Sequence, residues 1–239
     1  MSELYILLQY DVDKPVGNAV SQMSAAPRVI GRTLSDWWFA WVRLVMINAT
    51  WLACCLTIVL LPPATFGMYH AAAELVMGRS MAWSEFLTGA RRYFLKSWLW
   101  MLINGVVAAL LWAKVQFYSQ LGEAWAEVLR LIALTLGACW LVVQFYALPY
   151  FMIQQQKRLR VALKNGLLTA LASPLYSLVL SLFVALLLMA SLYFPVLIFV
   201  GVPAMIAVLG SHAVRERLET FGKIGEQPSE DDTLEDAQL

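Results

Sequence analysis

Two ionisable residues one helical turn apart, His70 and Glu74 in YHAAAE, are the side chains best spaced for chemistry in this sequence. At i, i+4 they share a helix face and can hydrogen-bond. An ionisable group at membrane depth is a functional candidate by default, because burying its charge is costly. The same spacing would suit two metal ligands on one turn. There is no HExxH and no second ligand cluster, and His212, the other histidine, lies far along the chain. A structural pair satisfied inside a bundle is therefore preferred to a metal site or proton relay.

Asn48, Asn104, Gln116 and Gln144 sit inside apolar runs. They could line a pathway, but hydrogen bonding between helices is the simpler use of such residues. Cys54, Cys55 and Cys139 fall in apolar runs without CxxC or Cys/His spacing, so they read as small packing residues. The sequence carries no phosphate-cradling glycine loop and no GxSxG, and its few histidines cannot support a Ser/His/Asp set. The expectation is a protein that is not an enzyme, with no catalytic residues, no metal and no cofactor.

The elements that position these residues are set by composition. The 239 residues are 61% hydrophobic and 14% charged, with 10 Trp, which places the chain among integral membrane proteins. The opening MSELYILLQYDVDK lacks a basic n-region and a small-residue cleavage site and is expected to be retained. Residues 1–36 read as a poorly regular cytoplasmic lead-in, with a surface helix near Ser2 to Tyr10. Leu44 to Leu61 is an uncharged span flanked by Arg43 and by an aromatic belt of Trp37, Trp38 and Trp41. Pro62 and Pro63 are expected to stop it.

Ala64 to Gly78 would make a second helix of roughly 22 Å, short for a bilayer core, so a re-entrant segment is an alternative to a crossing. Met81 to Lys96 places Trp83, Phe86, Leu87, Ala90 and Phe94 on one face and Glu85, Thr88, Arg91 and Arg92 on the other. That is the pattern of a helix in the membrane surface, in contact with lipid. Spans follow near 97–118 and 127–150, with Lys114 and Arg130 snorkelling at a shared end. Gly105, Ala109 and Ala113 form a small-residue ridge on one of them, and Ala133 and Gly137 repeat it on the next. Such faces serve packing, within the chain or between subunits. A second basic segment, Lys157 to Ala172, precedes an uncharged block from Asn165 to Val214. As a single helix that block would run roughly 75 Å, so it must be a hairpin, with spans near 174–194 and 196–213 and Phe194-Pro195 at the turn. Residues 214–239 read as an acidic cytoplasmic tail, solvated and disordered.

Charge arbitrates the topology. If the short helix crosses, 15 of the 17 basic residues fall on the side of both termini, leaving Lys114 and Arg130 opposite. The positive-inside rule therefore predicts an all-α bundle of six transmembrane helices with both ends cytoplasmic, spanning residues 37–213, and two amphipathic segments on the cytoplasmic side. Arg91, Arg92, Lys96, Lys157, Arg158 and Arg160 on those segments form a candidate docking surface. Flanked by spans, they point to lipid or protein partners and not to nucleic acid.

Three pieces of the chain, RLVMINATWLACCLTIVLLPPATFGMY, LVMGRSMAWSEFLTGARRYFLKSWLW and ALKNGLLTALASPLYSLVLSL, resemble the YesL-like family of bacterial membrane proteins, a domain of unknown function. The likeness covers most of Trp37 to Phe221. The chain departs from the family pattern in the second helix, where a basic residue is usual and HAAAELVMGR carries Glu74. Family members often sit beside genes for carbohydrate uptake and breakdown. The resemblance thus implies an accessory or assembly protein of the inner membrane, partnered with the membrane subunits of a sugar transporter or with itself. The competing expectation is a small transporter or channel with a polar site around His70, Glu74, Asn48 and Asn104.

Overall fold

The computed structural model describes residues 19–79 and 82–220. The described elements are helices: α1 (Ala19–Cys55), α2 (Leu61–Val76), α3 (Trp83–Arg92), α4 (Phe94–Ser119), α5 (Ala124–Ile153), α6 (Leu159–Ala172), α7 (Pro174–Tyr193), α8 (Val196–Val200) and α9 (Val202–Thr220). Four stretches, Ala25–Cys55 of α1 with α4, α5 and α7, are long and apolar enough to cross a membrane. The expected surface helix near Ser2 to Tyr10 and the acidic tail beyond residue 220 lie outside the described residues.

Two short helices occupy the middle. α2 has 16 residues, most of them buried, and α9 buries most of its length against α1, α2 and α5. The longer apolar helices surround them. α4 and the first half of α5 form a hairpin whose surface is largely exposed, as lipid-facing helices are. Its tip holds the Glu127–Arg130 ion pair, Nη2 to Oε1 at 2.6 Å.

The chain departs from the sequence reading in several places. Residues 19–36 are not an irregular lead-in but the first half of α1, which runs through Pro27 and kinks at Ala40. Ala25, Ala26, Val29 and Thr33 are buried, and the arm lies antiparallel to the end of α9. Asp36 Oδ2 meets His212 Nε2 at 2.7 Å, while Arg28 and Arg32, one turn apart, reach Glu216 at 3.5 and 3.7 Å. This docking also orders residues 214–220, which the charge pattern assigned to the tail. Val214, Glu216 and Arg217 are buried, so α9 runs to Thr220.

Pro62 and Pro63 do not stop the first span. α1 ends at Cys55, where Thr57 N and Oγ1 both bond the Cys54 carbonyl, and the prolines open α2. In a first turn the missing proline N–H groups cost nothing and the fixed φ favours the helix. The predicted surface helix also divides at Tyr93 (φ −108°, ψ 17°), so Phe94 to Lys96 begin α4.

A further departure concerns the apolar face of α3. Phe86 and Gly89 are buried against α2, followed by Tyr93, whereas Trp83 and Phe94 are exposed. Two glycines decide this. A Cβ on Gly67 would stand 2.4 Å from the Phe86 carbonyl oxygen, and one on Gly89 would stand 2.5 Å from His70 Cβ. Only glycine lets the two backbones approach so closely. The last hairpin turns at Phe194-Pro195 as expected, but its returning helix is broken: Gly201, at φ +122°, separates α8 from α9.

Candidate functional site

The polar residues singled out in the apolar runs do not converge. His70 and Glu74 share the α2 face, but each has another partner: His70 Nε2 lies 3.5 Å from Glu85 Oε2 on α3, and Glu74 Oε2 lies 2.7 Å from Arg79 Nε. Asn48 is fully buried on α1 and donates from Nδ2 to the carbonyls of Ile198 and of Phe199, the latter at 3.3 Å, in α8. Asn104 sits on α4, where its Oδ1 accepts from Trp140 Nε1 at 3.0 Å and its Nδ2 donates to the Trp100 carbonyl at 2.9 Å. Trp100 Nε1 in turn donates to Gln144 Oε1 at 2.9 Å. Asn104 and Gln144 therefore join α4 to α5, Asn48 joins α1 to α8, and Gln116 is exposed. Among the described residues, no three His, Cys, Asp or Glu side chains come together to hold a metal.

What the fold does bring together is the two basic segments. α3 ends beneath an aromatic group: Phe66, Tyr93 and Phe151 pack edge-to-face or tilted with centroids 5.2–6.4 Å apart, and Trp100 closes on Phe66 at 5.9 Å. Lys96, at the start of α4, lays its ammonium 5.8 Å from the Phe151 ring centroid and donates to the Lys157 carbonyl at 2.8 Å. The α5–α6 connection is held from the other side. Lys157 Nζ donates to the Met152 carbonyl, Gln154 Nε2 to the Arg158 carbonyl at 3.0 Å, and the Tyr150 and Thr169 hydroxyls bond at 2.6 Å. Leu159, Ala162, Gly166 and Thr169 form the buried face of α6.

Between these segments runs an open groove of about 510 Å³, lined by Lys96, Lys157, Arg158 and Arg160 and by Leu99, Ile103, Leu159 and Leu163. Among the described residues, none of the four cations has a carboxylate within ion-pair distance. Burial, and then the Arg92 charge, pull the Lys157 ammonium below the usual lysine range. Lys96 adds to that effect and Glu74 opposes it. Arg92 stands 5.7 Å from the Tyr93 ring, on the same side, and Arg91 is exposed beside it. Like charges held together, with no carboxylate at ion-pair distance, favour an incoming anion.

Residues 44–115 match the family model for a protein of unknown function, DUF624. The match runs from the last third of α1 through α2 and α3 to most of α4, less than a third of the chain, and supports a family to which no activity is assigned. It includes Lys96 and excludes Lys157, Arg158 and Arg160. No curated protein and no solved structure matches the chain.

Two residues with pronounced environments escape the sequence reading. Arg217 is buried, with its guanidinium carbon 3.9 Å from the Tyr176 ring centroid, Nη1 donating to Ser173 Oγ at 3.3 Å and Nε unpartnered. Glu216 is buried beside Arg28 and Arg32. A signal existed, since the helical repeat of Leu209, Ala213 and Val214 continues onto Glu216, Arg217 and Leu218. The charges there outweighed it.

Proposed function

We propose that this chain is a non-enzymatic accessory or assembly protein of the bacterial inner membrane that works by contacting another membrane protein. On its resemblance to the YesL-like family, that role belongs to carbohydrate uptake, and the partner is a sugar importer's membrane subunit or a second copy. The observation that carries the reading is the direction of the small-residue ridges. Ala133 is buried and a Cβ on Gly137 would stand 3.7 Å from Leu111 Cδ1, so the α5 ridge is used inside the chain. Gly105, Ala109 and Ala113 on α4 face outward, and nothing lies within 4 Å of a Cβ on Gly105. An outward ridge of this kind lets a second helix approach closely in a bilayer, where apolar side chains alone give no drive to associate. The engagement of Asn48, Asn104 and Gln144 in bonds between helices supports the same reading over a solute pathway.

Mild-detergent extraction from native membranes is expected to recover the chain in a complex. Gly105→Ile with Ala109→Ile should dissociate that complex while changing stability by no more than about 0.5 kcal/mol, because both sites point away from the bundle. A monodisperse monomer from native membranes that moves a sugar or an ion unaided in liposomes would overturn the reading in favour of a transporter.

The proposal includes six crossings, with α2 and the α8–α9 unit as inner crossings and both termini cytoplasmic. The burial of α2 and α9 among longer helices supports this, as does the charge asymmetry. In a variant lacking Cys54, Cys55 and Cys139, single cysteines at Gln120 and Thr88 should label from opposite sides, Gln120 from the periplasm. Labelling of Thr88 from outside intact cells would rule the arrangement out.

A further inference from the structure

We propose that the groove between the start of α4 and the α5–α6 connection binds one anionic phospholipid, its phosphate among Lys96, Lys157, Arg158 and Arg160 and an acyl chain along Leu99, Ile103 and Leu163. The inference is independent of the partner proposed above. Its first support is charge complementarity. Four cations line a single groove, none has a carboxylate within ion-pair distance among the described residues, and Lys157 is partly desolvated there. A phosphodiester accepting from arginine and lysine meets that deficit with charge-assisted hydrogen bonds. The first turn of α6 adds backbone N–H groups without a side-chain cap, at the same place as Arg158 and Arg160.

The second support is the polarity gradient of the walls. Lys96, Leu99 and Ile103 fall on one face of α4 at i, i+3 and i+7, and Leu159 and Leu163 stand at i, i+4 on α6. Each wall runs from a cationic end to an apolar one. Beyond the groove α4 continues as an exposed apolar helix through Leu102, Val106 and Leu110, a surface made for acyl chains. Lys96 therefore marks headgroup depth on a helix suited to spanning the bilayer. A sugar or nucleotide fits this lining poorly, because it offers no aromatic ring to stack and no carboxylate to accept hydroxyls.

The test uses the purified full-length chain and native mass spectrometry with an equimolar mixture of palmitoyl-oleoyl phosphatidylglycerol and the matching phosphatidylcholine. One phosphatidylglycerol should be retained about tenfold in preference, a difference of about 1.4 kcal/mol. The variant Lys96→Gln, Arg158→Gln, Arg160→Gln should bind the two lipids alike, while Lys114→Gln with Arg130→Gln should keep the preference. If the triple variant fails to fold, Arg158→Gln with Arg160→Gln, both exposed, should still reduce the preference. Equal retention of the two lipids by the unaltered protein, or an unchanged preference in the arginine variants, overturns the proposal. So does release of phosphatidylglycerol by millimolar inorganic phosphate, or equal retention of its dihexanoyl form, since either would mark a free-anion site.

Discussion

Gly67→Ala is expected to destabilise the protein by about 2–3 kcal/mol, the upper part of the range for overpacking a closely fitted contact. The added methyl would lie 2.4 Å from the Phe86 carbonyl oxygen and 3.2 Å from Ala90 Cβ. The first obstacle is backbone, so no rotamer change can relieve it, and α3 must move bodily off α2. That movement would also part His70 from Glu85 and loosen Phe66 from Tyr93, which span the same crossing. Gly105→Ala supplies the control. It is an exposed helix position with open space around it, and there alanine should be neutral or should stabilise by up to about 1 kcal/mol. Unfolding followed by circular dichroism in detergent measures both, and equal midpoints for the two variants would contradict the close approach of α2 and α3.

Asn48→Leu should cost about 1–3 kcal/mol, the penalty for stranding buried polar groups. α8 has only five residues, so nearly all its carbonyls fall in a last turn, where the helix itself provides no donor. Gly201 N–H satisfies Leu197, and Asn48 Nδ2 serves Ile198 and Phe199. Leucine shares the branched shape of asparagine but donates nothing, and Asn48→Asp should be at least as harmful because a carboxylate cannot donate either. Asn104→Leu should cost less, about 0.6 kcal/mol, the average found for one polar contact between membrane helices. Asn104 is only half-buried and joins two helices that also meet through Trp100 and Gln144. The comparison separates a structural amide from a transport ligand. A stable Asn48→Leu protein that has lost its cellular role would place Asn48 on a pathway.

The sequence by itself determined whatever depends on one helix at a time. Uncharged length marked α4, α5 and α7 as able to span a bilayer, and Phe194-Pro195 had to turn because the apolar block was too long for one crossing. Amide groups within apolar runs needed partners, and Asn104 and Gln144 have theirs on neighbouring helices. Periodicity named faces correctly as faces, including the face shared by His70 and Glu74. It could not name what each face meets. The tertiary structure decided that His70 faces Glu85, that the Gly105 ridge looks outward while Ala133–Gly137 looks inward, that Glu216 is buried beneath the arm of α1, and that Arg217 is buried against Tyr176. It alone made the groove, because Lys96 and Lys157 are 61 residues apart and meet only when α4 and α6 both pack on α5. The physical reason is the range of the forces that the sequence pattern records. Helix propensity and hydrophobic periodicity act over a few turns, whereas close contact between helices depends on single residues such as Gly67, whose missing side chain has meaning only when another backbone lies against it.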